Sequence, residues 1–203
     1  MTDRPDTYKT IKFPSEGLYK EKGSRFIAFA WPVGNEEEIK SILEETKRKY
    51  HDAKHHCYSY AIGAGLEIWR VNDDGEPSGT AGRPILGQIR SFGLTNVLVI
   101  VPRYFGGKLL GASRLANAYK TAARSALSNA EITERIITEN FELIFPYQSL
   151  SIVMKILKEY DIEQAEHKFD TECRMLIKIR LSLKETVMSH LSRIENLSVK
   201  PLS

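Results

Sequence analysis

Apolar and polar residues alternate along the chain in short runs whose spacing predicts helices and strands in mixed order. Residues 35–50 carry an apolar stripe with the period of a helix. Asn35 suits the N-terminal cap, and three glutamates follow in the first turn, where the helix dipole favours negative charge. Residues 96–101 are almost entirely apolar, which predicts a strand buried on both faces. Similar patterns predict strands at residues 8–12, 18–20, 25–33, 57–62 and 66–71, and helices at residues 84–92 and 114–130.

The last third of the chain shows a compact order of its own. The pattern predicts a strand at residues 137–145, a helix at 148–160, two strands at 162–169 and 174–182 around a polar turn, a helix at 184–195 and a strand at 197–201. This is the β-α-β-β-α-β order of a ferredoxin-like domain. We therefore expect an α+β fold with two domains, residues 1–136 and residues 137–203.

Composition places the chain among folded globular proteins. Of 203 residues, 42% are hydrophobic and 27% are charged, so enough apolar surface is present to offset the entropy of ordering. The apolar run at residues 97–101 is far shorter than the roughly 20 residues of a membrane-spanning helix. The first 12 residues lack the apolar centre of a secretory signal, and the chain has only two cysteines. We therefore expect a cytoplasmic protein.

The net charge of +3 says less than its distribution. No acidic residue occurs between Glu76 and Glu131. That interval contains seven cations, Arg83, Arg90, Arg103, Lys108, Arg114, Lys120 and Arg124. Such a run points to an anionic partner. The alternative is chance clustering, with the balancing acids supplied by other parts of the fold.

The first candidate motif is an acidic loop at residues 72–84, NDDGEPSGTAGRP. Its candidate site residues are Asp73, Asp74, Glu76, Ser78 and Thr80. The small residues leave backbone N–H groups open to an anion at the start of the following helix. The three carboxylates could instead hold a hard cation such as magnesium, although the segment has neither an EF-hand nor a Walker pattern. The alternative is a long turn in which Asp and Gly serve backbone geometry.

The second candidate motif is a glycine-rich segment at residues 101–114, VPRYFGGKLLGASR. It leads from the buried strand into the helix predicted at residues 114–130, with Ser113 as the expected cap. Glycines allow close backbone approach, cations supply charge, and two aromatic rings offer faces on which a base can stack. The alternative is that the rings are core anchors and the glycines only permit packing. The candidate anion-binding or nucleic-acid-binding residues are Arg83, Arg103, Tyr104, Phe105, Gly106, Gly107, Lys108, Arg114, Lys120 and Arg124.

A histidine and cysteine cluster precedes the strand predicted at residues 57–62. His51 and His55 are four residues apart, and Cys57 follows closely. The spacing lacks the glutamate of a zinc protease motif, and a strand would point alternate side chains to opposite faces. We expect Cys57 to be a small buried hydrophobic residue, not a nucleophile. No catalytic residue is assigned and no metal ligand is expected here.

Three segments together resemble the YigZ/IMPACT family. They are DDGEPSGTAGRPIL at residues 73–86, RYFGG at residues 103–107 and AYKTAA at residues 118–123. The resemblance implies a first domain like the second domain of ribosomal protein S five and a second like the fifth domain of elongation factor G. It also implies a role in translation, since eukaryotic members compete for the activator of an initiation-factor kinase. The family commonly has more glycine after RYFGG, where this chain has Lys108, Leu109 and the pair Ser113 and Arg114.

These observations lead to a main hypothesis and two alternatives. The main hypothesis is a regulatory protein that binds RNA, the ribosome or a translation-factor surface through the basic interval at residues 83–124. The first alternative is an enzyme or sensor for a small phosphorylated or carboxylated ligand held between the two motifs, and the second is a protein adaptor. Both motifs join a strand to a helix in the same domain, so we expect residues 73–83 and 103–114 to meet in space.

Overall fold

The computed structural model describes residues 6–169 and 172–202, and within them the chain forms two compact units. The first unit comprises residues 8–135, and the second comprises residues 136–202 together with residues 6–7. The mixed helices and strands in two units agree with the predicted fold class. The polar turn predicted before residue 174 includes residues 170–171, which lie outside the described residues. Within the described residues, no helix is long and apolar enough to cross a bilayer.

The first unit is built on a five-stranded antiparallel sheet, in the order β2-β3-β6-β4-β5. Three helices connect or follow these strands. A separate pair joins the first strand of the chain, β1, to β7. The strands are β1 (Thr7–Ile11), β2 (Ser15–Glu21), β3 (Ser24–Pro32), β4 (His55–Ile62), β5 (Ile68–Asn72), β6 (Val97–Tyr104) and β7 (Ile132–Ile136), and the helices are α1 (Glu36–Lys49), α2 (Gly82–Ser91) and α3 (Ala112–Ser128).

Helices cover both faces of the central strand β6, and this confirms the prediction made from its apolar sequence. One face packs against α2 and α3 and carries Val97, Val99 and Val101. The opposite face carries Leu98 and Ile100 and packs with residues of α1. All seven residues from Val97 to Arg103 are buried. The strand is therefore apolar from Val97 to Pro102, although its neighbours are antiparallel.

The ends of the helices agree with the sequence in one case and differ in another. Asn35 caps α1 as predicted, because its side chain accepts a hydrogen bond from the backbone N–H of Glu38 at 2.9 Å. Helix α3 begins before the expected Ser113 cap, so that prediction is wrong. Its cap residue is Gly111, whose φ of 75° lies in the left-handed region that glycine adopts without strain.

The second unit has the predicted β-α-β-β-α-β order. Its four strands form an antiparallel sheet in the order β11-β8-β10-β9, and two helices pack on the sheet around a core of aliphatic and aromatic residues. The carboxylate of Asp6 joins this unit, accepting hydrogen bonds from the backbone N–H and the hydroxyl of Ser182. The elements are β8 (Thr138–Pro146), α4 (Leu150–Glu159), β9 (Glu163–Phe169), β10 (Glu172–Arg180), α5 (Lys184–Leu191) and β11 (Ser198–Leu202).

Candidate functional site

One end of the five-stranded sheet brings the two motif segments together. There β6 ends, β4 begins, and His55 of β4 lies opposite Arg103 of β6. The acidic loop follows β5 and returns to β4, where the backbone N–H of His56 donates to Oδ2 of Asp74 at 2.6 Å. The Nη1 group of Arg103 donates to Oε1 of Glu76 at 2.6 Å. The prediction that residues 73–83 and 103–114 meet in space is therefore confirmed.

Arg103 and Glu76 form a buried ion pair. Their side chains are only 6% and 4% exposed. The same Oε1 atom of Glu76 accepts a hydrogen bond from the hydroxyl of Tyr119 at 2.8 Å. A guanidinium buried in this way can satisfy an internal carboxylate but cannot reach phosphates on the surface. Arg103 therefore joins the two motifs from inside, and the expectation that it offers its charge to a partner is wrong.

The thiol of Cys57 belongs to the same buried network. It lies 3.2 Å from the hydroxyl of Tyr119 and 3.0 Å from the backbone carbonyl oxygen of Asp73. Burial raises the pKa of Cys57 far above its usual value, and the nearby charge of Glu76 acts in the same direction. Burial also raises the pKa of Tyr119. Both groups stay protonated at neutral pH, so Cys57 is a buried structural residue, as the sequence suggested.

Asp73 folds the acidic loop onto the start of α2. Its carboxylate accepts hydrogen bonds from the backbone N–H groups of Gly79 at 2.8 Å, Ala81 at 2.9 Å and Gly82 at 2.8 Å. Burial acts to raise the pKa of Asp73, but these hydrogen bonds and the charge of Arg83 outweigh it and lower the pKa. The N–H groups that the sequence left open to an external anion are therefore occupied by the protein's own carboxylate, and that expectation is corrected.

The other polar groups of the loop are also held locally. The carboxylate of Asp74 lies 3.9 Å from Nζ of Lys47, in addition to its bond with the strand β4. The hydroxyl of Thr80 donates to the carbonyl of Pro77 at 2.6 Å, and Ser78 is exposed. Within the described residues, no group of three or more His, Cys, Asp or Glu side chains is placed to hold a metal ion. The three loop carboxylates thus have separate protein partners.

The glycine-rich segment divides into packed and exposed parts. The hydroxyl of Tyr104 donates to Asp52 at 2.7 Å, and the ring of Phe105 is 44% exposed. Gly106 packs against the β2–β3 turn so closely that an added Cβ would lie 2.0 Å from the carbonyl carbon of Gly23. Gly107 has a φ of 81°. Close packing therefore requires glycine at position 106, and the positive φ favours glycine at position 107. The exposed ring of Phe105 is available to a partner.

Helices α2 and α3 pack side by side on one face of the sheet and carry no acidic residue. Their outer sides carry five exposed cations, which we call the helical basic face: Arg83 and Arg90 on α2, and Arg114, Lys120 and Arg124 on α3. Arg90 lies over the ring of Trp69. Among the described residues, none of the five comes within 4.0 Å of a carboxylate oxygen. Lys108 lies exposed on the loop before α3.

Sequence reasoning missed the cations that the sheet adds beside the RYFGG segment. Arg25 of β3 lies opposite Tyr104 in the sheet, and its guanidinium carbon is 4.5 Å from the centre of the Tyr104 ring. Lys54 lies 5.6 Å from the centre of the Phe105 ring. Because these contacts join residues far apart in the chain, only the pairing of predicted strands could have revealed them.

Comparisons with known proteins identify the family. The model of the Impact N-terminal domain matches residues 22–127. The chain is 34% identical over 153 residues to the IMPACT family member YvyE of Bacillus subtilis, covering 75% of this chain and 70% of that one. It is 32% identical over 112 residues to the protein IMPACT homolog of Saccharomyces cerevisiae, covering 53% and 43%. A crystal structure of a hypothetical protein shares the fold, with a TM-score of 0.74, 24% identity and coverage of 98% and 99%. The match to the Impact N-terminal domain and the similarity to YvyE both show that the chain belongs to the IMPACT family.

Proposed function

We propose that this protein regulates translation by binding RNA, ribosomal or otherwise, through the helical basic face. The observation that supports this most strongly is the combination of five exposed cations with the absence of acids from α2 and α3. Cations without ion pairs are free to replace the counterions around a phosphate backbone, and this release drives association. The buried Arg103 is not part of this surface.

The arrangement favours recognition of shape and charge over recognition of sequence. Arg114, Lys120 and Arg124 share one side of α3, and Arg83 extends the same surface onto α2. The chain has no RNP motif and no paired zinc ligands that would read bases. We therefore expect binding that depends strongly on salt and tolerates changes of sequence.

Family membership supports the translational context of the proposal. Eukaryotic members carry the name IMPACT, and the resemblance described above connects the family to translational control. We propose further that the first unit has the fold of the second domain of ribosomal protein S five. The second unit, with its β-α-β-β-α-β order, would have the ferredoxin-like fold of the fifth domain of elongation factor G. A cytoplasmic location fits the two free, buried cysteines. A translation-factor surface or another protein is the alternative partner.

Binding of a small anionic ligand between the two motifs is less well supported. Asp73 occupies the N–H groups of the helix start, and Glu76 is bonded to Nη1 of the buried Arg103. A phosphorylated or carboxylated ligand would have to displace both carboxylates. Because the loop carboxylates are bonded to different protein groups, the described residues offer no position at which they could bind one magnesium ion together. We therefore place the partner on the surface and not between the segments.

A co-purification experiment tests the proposed function. The tagged protein is isolated from its host at low salt, and the bound RNA, ribosomal proteins and small ligands are identified. We expect RNA or ribosomes to accompany the wild type, and we expect the double variant Lys120→Gln/Arg124→Gln to lose most of them. A matched double variant in the second unit, Lys155→Gln/Lys158→Gln, changes two exposed helix lysines and should behave as wild type. Equal recovery of RNA with both double variants would contradict the proposal.

A further inference from the structure

A second basic site lies at the turn between β2 and β3, where residues outside both sequence motifs meet Tyr104 of the glycine-rich segment. A cavity with a volume of about 500 Å³ opens there, and its lining includes Lys20, Lys22, Arg25 and Tyr104. Glu21 also lines it, but the carboxylate of Glu21 accepts a hydrogen bond from the hydroxyl of Tyr19 at 2.8 Å. The lining therefore carries three cations and one carboxylate, a net charge of +2, and it favours an anionic ligand.

The cavity lining also includes an aromatic ring in contact with a guanidinium. The guanidinium of Arg25 lies 4.5 Å from the centre of the Tyr104 ring, so the two planar groups are already together. The hydrogen bond from Tyr104 to Asp52 fixes the orientation of the ring. Unpaired nucleobases stack on aromatic rings and on arginine planes, whereas bases inside a duplex are already stacked on their neighbours. Charge and ring together therefore match a single strand better than a duplex.

The site adjoins the glycine-rich segment, which leads into α3 of the helical basic face. Gly23, in the turn that lines the cavity, touches Gly106 of the glycine-rich segment. Beyond it come the exposed ring of Phe105, with Lys54 beside it, and then Lys108 on the loop that leads into α3. Two cation–ring pairs, Arg25 with Tyr104 and Lys54 with Phe105, therefore lie on neighbouring residues of this segment, and such pairs are typical of surfaces that bind single-stranded nucleic acid.

We propose that the β2–β3 turn site binds single-stranded RNA, with Lys20 and Lys22 on phosphates and a base stacked on Arg25 and Tyr104. This inference rests on the proposed function, since it adds to the helical basic face a second contact that is selective for single-stranded RNA. An acidic peptide would satisfy the cations but would make no use of the Arg25–Tyr104 pair, so the observations favour nucleic acid. Binding of an acidic peptide in place of RNA is an outcome that the experiment distinguishes.

The test uses fluorescence anisotropy with a labelled 12-nucleotide oligouridine, a labelled 12-base-pair RNA duplex and a labelled 12-residue polyglutamate. The variant Arg25→Lys keeps the positive charge but removes the planar group. We expect it to bind oligouridine at least fivefold more weakly, as for the loss of one stacked base, and to bind the duplex as wild type does. The variant Lys20→Gln/Lys22→Gln should lower the salt slope for oligouridine by about 1.4, at roughly 0.7 per phosphate contact. Lys158→Gln, an exposed lysine of the second unit, is the control.

The outcomes separate this inference from the proposed function. Equal affinities of wild type and Arg25→Lys for oligouridine would overturn the stacking site. Tighter binding of polyglutamate than of oligouridine would overturn the choice of ligand. The proposed function stands if the duplex binds and Lys120→Gln/Arg124→Gln abolishes that binding. The turn site is nevertheless refuted if Arg25→Lys and Lys20→Gln/Lys22→Gln bind oligouridine as the wild type does. If none of the RNAs binds, both fail. Thermal unfolding of each variant verifies that the exposed substitutions leave the fold intact.

Discussion

Replacing Glu76 by glutamine should strongly destabilise the first unit. Glu76 is the acceptor for both Arg103 and Tyr119, and the Glu76 and Arg103 side chains are 4% and 6% exposed. Glutamine has the same shape, and its carbonyl oxygen can still accept from Tyr119. The substitution therefore removes the negative charge and leaves the guanidinium of Arg103 buried without a counterion.

The size of the effect follows from this geometry. Removing one partner of a buried ion pair typically costs about 3–5 kcal/mol, because the remaining charge stays desolvated. That is a large share of the roughly 5–15 kcal/mol by which domains are stable. Replacing both members, as in Glu76→Gln/Arg103→Met, removes the uncompensated charge. The double variant should therefore lose less free energy of unfolding than the sum of the two single variants.

Urea unfolding followed by tryptophan fluorescence measures this effect in the right part of the chain. The two tryptophans, Trp31 and Trp69, both lie in the first unit, so the signal reports that unit. Glu44→Gln, an exposed change on α1, serves as the control and should change the free energy of unfolding by less than about 0.5 kcal/mol. A loss below about 1 kcal/mol for Glu76→Gln would show that the ion pair does not hold the two motifs together.

Three further predictions follow from the same region. Asp73→Ala should cost about 2 kcal/mol by urea unfolding, because three backbone N–H groups lose their acceptor. Because the folded pKa of Asp73 is lowered, the charge-dependent part of this stabilisation is present above the unfolded pKa and is lost as the pH falls through the folded pKa. The difference between variant and wild type should therefore narrow in acid, and a constant difference down to pH 2 would contradict this. Cys57 should resist iodoacetamide at pH 8 in the folded protein and react in urea, as measured by mass spectrometry, and labelling of the native protein would refute its burial. Gly106→Ala should lower the free energy of unfolding by about 3 kcal/mol, because the new Cβ would collide with backbone atoms of the β2–β3 turn. Gly87→Ala in α2 has open space around it and should raise the free energy of unfolding by about 0.5–1 kcal/mol. Equal shifts of the melting temperature for the two variants would refute the close approach at Gly106.

Local features of the fold could be predicted because neighbouring residues determine them. The cap and charge pattern of α1 lie within one segment, and the apolar sequence of β6 reports the burial of both its faces. The sequence pattern missed β7, whose five residues are mostly exposed and carry no apolar alternation that differs from a loop. It also ended the buried strand at residue 101, whereas β6 continues through Arg103 to Tyr104.

The site could be predicted only in outline for a related reason. The position of the acidic and glycine-rich segments, each between a strand and a helix of one domain, indicated that they meet, but it could not indicate which charges neutralise each other. Arg103 finds Glu76 across 27 residues, and Tyr119 reaches the same carboxylate across 43. Such pairings depend on strand register and helix placement. A charged residue in a motif can therefore be a buried structural group, as Arg103 is, while Arg25 outside every motif supplies an exposed charge.

The salt dependence of RNA binding by matched variants tests the central claim most directly. The affinity for a 12-base-pair RNA duplex is measured between 50 and 200 mM KCl for the wild type, Lys120→Gln/Arg124→Gln and the control Lys155→Gln/Lys158→Gln. The account predicts that the slope of log affinity against log salt falls by about one to two units for the first variant, because two phosphate contacts are lost, and is unchanged for the control. An unchanged slope for Lys120→Gln/Arg124→Gln, with the fold intact, would contradict the assignment of the helical basic face.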